Sequence, residues 1–192
     1  MIIGVSGRGG SGKSTLSRKI VDRYDNYIYI DVDNIIETKV LKSSELVETV
    51  NRYFSDRKYS MDDIVMAYFQ KSKKNNMIHK FFTNEVAKQI LIRIKENDGK
   101  NIVIDWFLLH EIFDLLPIDI TILTIASREE RIRRIKIRNN NNDVSIFEIV
   151  DNAFVEIDYS KINYVIETEK EYDTILDEII NQKKMEKKKW KQ

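Results

Sequence analysis

The chain has 192 residues with 32 Lys and Arg against 31 Asp and Glu, which makes its formal net charge +1, and it contains no Cys. This length suits one domain over residues 1–192, and the absence of Cys excludes disulfides and thiolate-bound metals. Residues 183–192 hold six Lys and one Glu, so the rest of the chain carries −4, which argues against nucleic acid as a partner. No apolar run approaches the ~20 residues that cross a bilayer. Because the chain opens directly on a strand pattern rather than a secretory leader, we expect a cytoplasmic protein without membrane contact.

The first half of the chain alternates strand and helix patterns before a long helical stretch. Apolar, β-branched runs predict strands at 2–6 and 27–31, and apolar residues at helical spacing predict a helix over 13–24 between them. Three further helical patterns follow, at 46–54, 64–69 and 78–94. One helix is enough to connect two parallel strands, so the extra helices predict a substrate-binding insertion over residues 34–97.

The second half continues the alternation. Apolar runs predict strands at 101–105, 119–125 and 162–166. Ser127 and Glu130 have the spacing of a capping box, which predicts a helix from there through about Arg138. Further helices are predicted near 145–157 and from about Tyr172 onwards. Strands that alternate with helices predict a five-stranded parallel sheet covered on both faces, in a three-layer α/β/α arrangement.

The most specific motif follows the first strand. Residues 7–14 read Gly-x-x-x-x-Gly-Lys-Ser, the Walker A pattern of P-loop nucleotide-binding proteins, between a predicted strand and a predicted helix. In such a loop the backbone amides surround phosphate oxygens, the lysine reaches the β- and γ-phosphates, and the serine hydroxyl binds Mg²⁺. We therefore predict that ATP and Mg²⁺ bind here, and that the nucleotide-binding residues are Gly7, Arg8, Gly9, Gly10, Ser11, Gly12, Lys13, Ser14 and Thr15.

Two carboxylates lie where strands are predicted to end. The chain lacks the base-reading and switch motifs of GTPases and the signature of transporter ATPases, which leaves a small-molecule kinase as the common remaining class. Asp33 follows the second strand, beside the phosphate loop, and is predicted to be the catalytic carboxylate that orients the acceptor hydroxyl. The alternative for Asp33 is a helix N-cap. Asp105 ends the third strand, where a carboxylate helps Ser14 to hold Mg²⁺, and its alternative is a strand-end turn residue.

Several arginines share one helix near a polar break in the pattern. Arg131, Arg134 and Arg138 fall at helical spacing on one face, and an Asn-rich segment follows. Such a cluster suits a lid, predicted over residues 127–157, that neutralises the transferring phosphoryl group. The alternative is a solvated basic face that pairs with the neighbouring glutamates.

Taken together, residues 2–168 resemble the dephospho-coenzyme A kinase family. After the Walker A motif, Ile30-Asp31-Val32-Asp33 resembles the family's Ile-Asp-Ala-Asp segment, and Ile78-His79 resembles its Leu-His-Pro. Asp105 to Glu111 resembles Asp-x-Pro-Leu-Leu-Phe-Glu, Ser127 to Arg138 resembles the lid helix, and 162–166 resembles the family's last strand.

The resemblance implies a P-loop nucleoside-kinase fold with strand order 2-3-1-4-5, a helical coenzyme-A-binding insertion and a lid. It implies phosphorylation of the ribose 3′-hydroxyl of dephospho-coenzyme A, with Asp33 as catalytic carboxylate, Lys13 and Ser14 on ATP and Mg²⁺, and Arg134 and Arg138 on phosphates. The residues that it implies at the acceptor site are His79, Leu108, Leu109 and Glu111.

Other acceptors stay open at this stage. Where the family has a Leu-Asp-Arg motif this chain has Met61-Asp62-Asp63, and Asn152 and Asp158 stand where the family has Gln and Arg. The alternatives are therefore a nucleoside or nucleotide kinase and an ATP-binding regulator without turnover. His110 and Trp106 are predicted to serve packing rather than chemistry.

Overall fold

The computed structural model describes residues 1–70, 73–139, 151–152, 156–170 and 172–189. Its five strands form one sheet in the order β2-β3-β1-β4-β5, and every neighbouring pair is parallel. The strand bounds are β1 Ile2–Ser6, β2 Tyr27–Asp31, β3 Asn101–Asp105, β4 Ile120–Ile125 and β5 Tyr164–Glu167. The predicted sheet and its strand order are thus confirmed, with shifts of one or two residues at β4 and β5.

Seven α-helices lie in the described part of the chain: α1 Lys13–Arg23, α2 Val32–Thr38, α3 Ser44–Tyr53, α4 Met61–Phe69, α5 Lys73–Lys95, α6 Arg128–Asn139 and α7 Asp173–Lys189. Short 3-10 turns lie at Val40–Lys42, Leu109–Glu111, Phe113–Leu115 and Tyr159–Lys161. The helix predicted near 145–157 falls mostly outside the described residues.

Two hydrophobic clusters lie on opposite faces of the sheet. The first joins Ile30, Ile102 and Ile104 of the sheet to buried residues of α2, α3, α4 and α5. The second joins Ile3, Val5 and Val103 to α1 and α7. Because successive strand residues point to opposite faces, Ile102 and Val103 contribute to different clusters. This is the predicted three-layer α/β/α arrangement.

Helices α3 and α4, which lie between β2 and β3, have local start signals. Ser43 accepts a hydrogen bond from the Leu46 amide at 3.1 Å and begins α3. Ser60 and Asp63 form a reciprocal capping box that begins α4. Asp63 stands where the dephospho-coenzyme A kinase family, which this sequence resembles, has an arginine. In this chain the residue at that position caps the start of α4. The proposed bounds of the insertion, 34–97, remain a prediction.

None of the helices in the described ranges combines the length and the apolar character that a membrane span requires.

Candidate active site

The phosphate loop runs from the end of β1 to the start of α1 and depends on glycine at two left-handed positions. Gly10 has φ 77°, and a Cβ there would lie 2.7 Å from the carbonyl oxygen of Arg131. Gly12 is the N-cap of α1 with φ 90°, and its Cβ would lie 3.1 Å from the Thr168 side chain. Only glycine fits this backbone so close to its neighbours. The amides at the start of α1 therefore remain available to an anion.

Two threonines hold the loop against the sheet. The hydroxyls of Ser11 and Thr124, at the end of β4, are 2.7 Å apart. Thr168, just after β5, donates its hydroxyl to the Ser11 carbonyl oxygen at 2.8 Å. Sequence reasoning missed both threonines, because a threonine near a strand end carries no signal of the loop that it contacts.

Lys13, Asp33 and Asp105 share one electrostatic environment beside the loop. The Lys13 ammonium donates to the Arg8 carbonyl oxygen at 3.2 Å. Burial lowers the pKa of Lys13, while the nearby Asp105 and Asp33 raise it less. Desolvation, followed by the charge of Asp31, raises the pKa of Asp33, although Asp33 is exposed at the mouth of the site. The structure therefore brings together the predicted phosphate-binding lysine and the predicted catalytic carboxylate.

The N-cap alternative for Asp33 is wrong, because Asp31 fills that position. The Asp31 carboxylate accepts a hydrogen bond from the Asn34 amide at 3.2 Å and caps α2. Asp33 lies within the first turn of the helix, so its side chain is not needed to begin it.

Mg²⁺ fits the polar groups between α1 and β3. Asp105 is 5% exposed, and burial raises its pKa, while the nearby charge of Lys13 opposes this shift. Ser14 lies close enough to favour the charged form of Asp105, and the Tyr29 hydroxyl donates to Asp105 Oδ2 at 3.0 Å. No group of three or more His, Cys, Asp or Glu able to hold a metal occurs among the described residues. Mg²⁺ needs none beside a nucleotide, since it keeps waters and phosphate ligands.

The three arginines predicted on one face of α6 have different environments. Arg131 is buried and binds both carboxylate oxygens of Asp151, at 2.5 and 3.2 Å. Arg134 binds Glu130 at 2.7 Å and donates to the Thr168 hydroxyl at 2.7 Å. Arg138 is exposed, and its charge lowers the pKa values of Lys13 and Asp33.

The contacts of α6 fit parts of both predictions, and its role in a lid remains a prediction. Glu130 binds Arg133 as well as Arg134, as the alternative of a paired basic face predicts, whereas the charge of Arg138 acts on Asp33. The predicted capping box is half present, because Ser127 Oγ accepts from the Glu130 amide at 3.3 Å but the Ser127 amide donates to Glu169 at 2.5 Å. Much of the predicted lid, 127–157, lies outside the described residues.

A second group of polar residues borders Asp33 on the side of the helical layer. His79 Nε2 lies 3.4 Å from Glu111 Oε2, and the His79 ring stacks on Tyr68 with centroids 4.7 Å apart. The charges of Glu111 and Asp33 both raise the pKa of Tyr68, after burial as the main cause, so Tyr68 lies within electrostatic range of both carboxylates. The Tyr68 hydroxyl and Glu111 Oε1 are buried without a hydrogen-bond partner among the described residues.

The remaining predicted acceptor residues are fully buried. Leu108 and Leu109 are 1% and 0% exposed and belong to the hydrophobic cluster beneath this group, so they can support an acceptor site but present no open surface. Trp106 is buried in the same cluster, as predicted. His110 is buried too, and its Nδ1 lies 2.9 Å from the Ser6 hydroxyl, which adds a polar contact to the predicted packing role.

Comparison with known solved structures shows the same fold elsewhere. TT1252 from Thermus thermophilus aligns with a TM-score of 0.67 and 18% identity over 95% of this chain and 97% of that chain. A deoxyadenosine kinase from M. mycoides, solved with products, aligns with a TM-score of 0.52 and 19% identity over 96% and 100%. An uncharacterized protein from Eubacterium ventriosum ATCC 27560 aligns with a TM-score of 0.52 and 16% identity over 95% and 97%. At these identities the likenesses show the fold.

The comparison with curated protein sequences found no match. The profile of a family described as "AAA domain" matches residues 3–156, which include the phosphate loop, Asp33, Asp105 and α6. The chain therefore belongs to this AAA domain family, and its fold is that of a P-loop kinase.

Proposed function

We propose that this protein is an ATP-dependent kinase that transfers the γ-phosphoryl group of ATP to a hydroxyl group of a small molecule. The observation that carries the proposal is the proximity of Asp33 and Lys13 beside the phosphate loop, where the charge of each shifts the pKa of the other. A phosphate-binding lysine alone would serve any nucleotide-binding protein, whereas a carboxylate opposite it provides the group that an acceptor hydroxyl needs.

The proposed chemistry is an in-line displacement at the γ-phosphorus. The acceptor oxygen forms the new P–O bond, the bond to ADP breaks, and the hydroxyl proton passes to Asp33. Lys13 and Arg138 offset the charge on the transferring group, and Arg134 stabilises the loop through Thr168. Mg²⁺, when bound with the nucleotide beside Ser14 and Asp105, neutralises phosphate charge.

Dephospho-coenzyme A is the first proposed acceptor, with its ribose 3′-hydroxyl as the reacting group. The segments that resemble the dephospho-coenzyme A kinase family include the residue proposed to act on the hydroxyl and residues proposed to bind the acceptor. Asp33 lies at the phosphate loop, and His79 and Glu111 form the polar group next to it. Tyr68 adds a buried hydroxyl to this group, and Leu108 and Leu109 pack beneath. These residues offer hydrogen-bond donors and acceptors to a sugar.

A nucleoside or nucleotide is the second proposed acceptor. It is favoured by the capping role of Asp63, because a carboxylate used for a helix start cannot bind an acceptor phosphate as the family's arginine does. The fold is also shared with a deoxyadenosine kinase from M. mycoides, which supports a sugar hydroxyl as the reacting group without selecting one. A nucleotide-binding regulator without turnover is the third reading.

The deciding experiment measures ADP release from MgATP with dephospho-coenzyme A, with ribonucleosides and with deoxynucleosides, and determines the mass of each product. We expect a dephospho-coenzyme A product heavier by one phosphate, formed faster than any nucleoside product. Faster transfer to a nucleoside would replace the first acceptor by the second. ATP binding without acceptor-dependent ADP release would contradict the kinase proposal.

Replacement of the catalytic carboxylate tests the mechanism. We expect Asp33→Asn to reduce turnover by about 10²- to 10⁴-fold, the usual contribution of general acid–base catalysis, while ATP binding changes little. Asp31→Asn is the matched control, because it alters the neighbouring carboxylate and Asn still caps α2. Equal turnover of the two variants would show that Asp33 is not the key carboxylate.

A further inference from the structure

Tyr29 lies on β2 beneath the start of α1, and nothing in the sequence motifs assigns it a role. The register of β2 and β3 pairs Tyr29 with Val103 and Asp31 with Asp105. Paired residues of parallel strands point to the same face, and residues two apart share it, so Tyr29 and Asp105 lie on the side of the sheet that α1 covers. This placement brings the Tyr29 hydroxyl to 3.0 Å from Asp105 Oδ2.

The phenol is held in place on several sides. Tyr29 is half-buried, and the Arg18 guanidinium of α1 lies 5.9 Å from its ring centroid. The Ser14 side chain lies next to both Tyr29 and Asp105. The Tyr29 hydroxyl donates its hydrogen bond to the Asp105 carboxylate and keeps its proton.

We propose that Tyr29 is a positioning residue for the metal–nucleotide site: its hydroxyl binds Asp105 Oδ2 and so restrains the carboxylate that would hold Mg²⁺ together with the nucleotide. The inference rests on the proposed function only as far as binding of a magnesium nucleotide. A buried carboxylate with one oxygen fixed has fewer rotamers to lose when the cation arrives, and a donor to a charged group is among the stronger hydrogen bonds.

The same strand supplies a matched control. Tyr27 lies two residues earlier on the same face, in the cluster that α1 covers, and is 6% exposed. Its hydroxyl has no hydrogen-bond partner among the residues that the structure describes. The Tyr27→Phe variant therefore removes a phenol oxygen from the same strand and the same face of the sheet, and it leaves the contacts of Asp105 unchanged.

The test is calorimetric titration with the non-hydrolysable analogue AMP-PNP, in excess Mg²⁺ and in EDTA. The ratio of the two affinities gives the Mg²⁺-dependent gain, and it is measured without any acceptor or turnover. We expect Tyr29→Phe to reduce this gain by about five- to tenfold, with unchanged affinity in EDTA, and Tyr27→Phe to leave both unchanged. An unreduced gain in Tyr29→Phe, or equal losses in the two variants, would overturn the proposal.

A double-mutant cycle separates positioning from general stabilisation. Asp105→Asn keeps an oxygen that can accept the phenol's hydrogen bond but removes the charge that the cation needs. If Tyr29 acts through Asp105, Tyr29→Phe adds no further loss of the Mg²⁺-dependent gain in the Asp105→Asn protein, whereas a full additional loss contradicts the proposal.

If the Tyr29→Phe variant does not fold, a second measurement that leaves the tyrosine hydroxyl in place tests the same proposal. With 3-fluorotyrosine incorporated at position 29 or at position 27, the ¹⁹F resonance is recorded for the AMP-PNP complex before and after Mg²⁺ addition. We expect the resonance at position 29 to shift and the one at position 27 to stay. The reverse pattern, or no shift at either position, would refute the proposal. Loss of kinase activity with every acceptor would leave this test intact, so the two proposals fail separately.

Discussion

At the scale of single residues, the pair of Glu111 and His79 shows how burial changes the chemistry of a polar contact. Burial raises the pKa of Glu111 to about 7, and burial also lowers the pKa of His79 below its usual value. Both shifts favour the uncharged forms near neutral pH, so the contact of 3.4 Å is better described as a neutral pair than as a salt bridge. Tyr68 and the charge of Asp33 border the same pair.

This environment predicts a particular dependence of stability on pH. Folded Glu111 holds its proton more tightly than the unfolded chain, whose Glu titrates near pH 4.5. The Glu111 contribution to the free energy of unfolding is therefore full below pH 4.5 and is lost as the pH rises through about 7, by at most about 1.4 kcal/mol per pH unit. In Glu111→Gln this component disappears, so the free energy of unfolding of the mutant minus that of the wild type increases from pH 5 to pH 7.5. Urea unfolding at the two pH values measures it.

Asp33, Asp105 and His79 also titrate, so the comparison must be between variants rather than within the wild type. Glu48→Gln, which removes an exposed carboxylate from α3, serves as the control and should keep the wild-type slope. A Glu111→Gln protein whose stability follows pH as the wild type does would show that Glu111 is already charged in the folded state.

Single residues were predictable where a motif defines them and not where only packing does. The Walker A spacing singled out Lys13 and Ser14, strand-end positions singled out Asp33 and Asp105, and the roles of these four residues remain predictions. Tyr29 and Tyr68 were read only as members of a strand and a helix, because apolar periodicity treats a phenol like any other large side chain. The Tyr29 hydroxyl contacts Asp105 and the Tyr68 ring stacks on His79, and only the tertiary structure brings these partners together.

At the scale of elements, α6 attaches to the phosphate loop through buried charge. Asp151 binds the buried guanidinium of Arg131 with both oxygens and also binds Arg8 of the loop. Partial burial by itself would raise the pKa of Asp151, but the hydrogen bonds from Arg131 and Arg8 outweigh this effect and lower it. Helical spacing placed Arg131, Arg134 and Arg138 on one face, but spacing could not tell which of them is buried in an ion pair.

The loss of this carboxylate should destabilise the protein more than the loss of a surface partner. Asp151→Ala leaves the charge of Arg131, whose side chain is 6% exposed, without its bidentate partner, and we expect the free energy of unfolding to fall by about 3–5 kcal/mol. Glu96→Ala removes the exposed pair with Arg93 and should cost less than about 1 kcal/mol. Urea unfolding of both variants measures the difference. Similar losses would mean that Arg131 finds water or another acceptor when Asp151 is absent.

At the scale of the whole molecule, the sheet joins two clusters that together position the site. The three-layer arrangement was predictable, because five apolar runs alternating with helices leave few other solutions, whereas the strand order followed from the family resemblance alone. Helix bounds between β2 and β3 were less predictable, since α5 begins five residues before the first apolar residue of its pattern, and α2 is too short for its pattern to stand out. For α7, the sequence indicated only that its apolar residues pack somewhere, and the structure shows that they pack in the cluster with β1 and α1.

The last prediction concerns α7 as the outer support of the strand that begins the phosphate loop. Leu176 is 0% exposed and packs in the cluster that contains Ile3 and Val5 of β1, whereas its neighbour Ile175 is 41% exposed. Leu176→Ala should lower the free energy of unfolding by about 2–5 kcal/mol through lost burial and a residual cavity, and Ile175→Ala should cost far less. Urea unfolding followed by far-UV circular dichroism compares the two.

The same experiment tests whether the two clusters unfold together. In a Trp190→Phe background, fluorescence reports Trp106 alone, which is buried in the opposite cluster on the other face of the sheet. If the sheet couples both faces, Leu176→Ala shifts the fluorescence and circular dichroism midpoints by the same amount, as expected for an all-or-none transition. A fluorescence midpoint that stays at the wild-type value while the circular dichroism midpoint falls would mean that α7 detaches by itself. In that case the support of the phosphate loop would come from α1 and the sheet without the C-terminal helix.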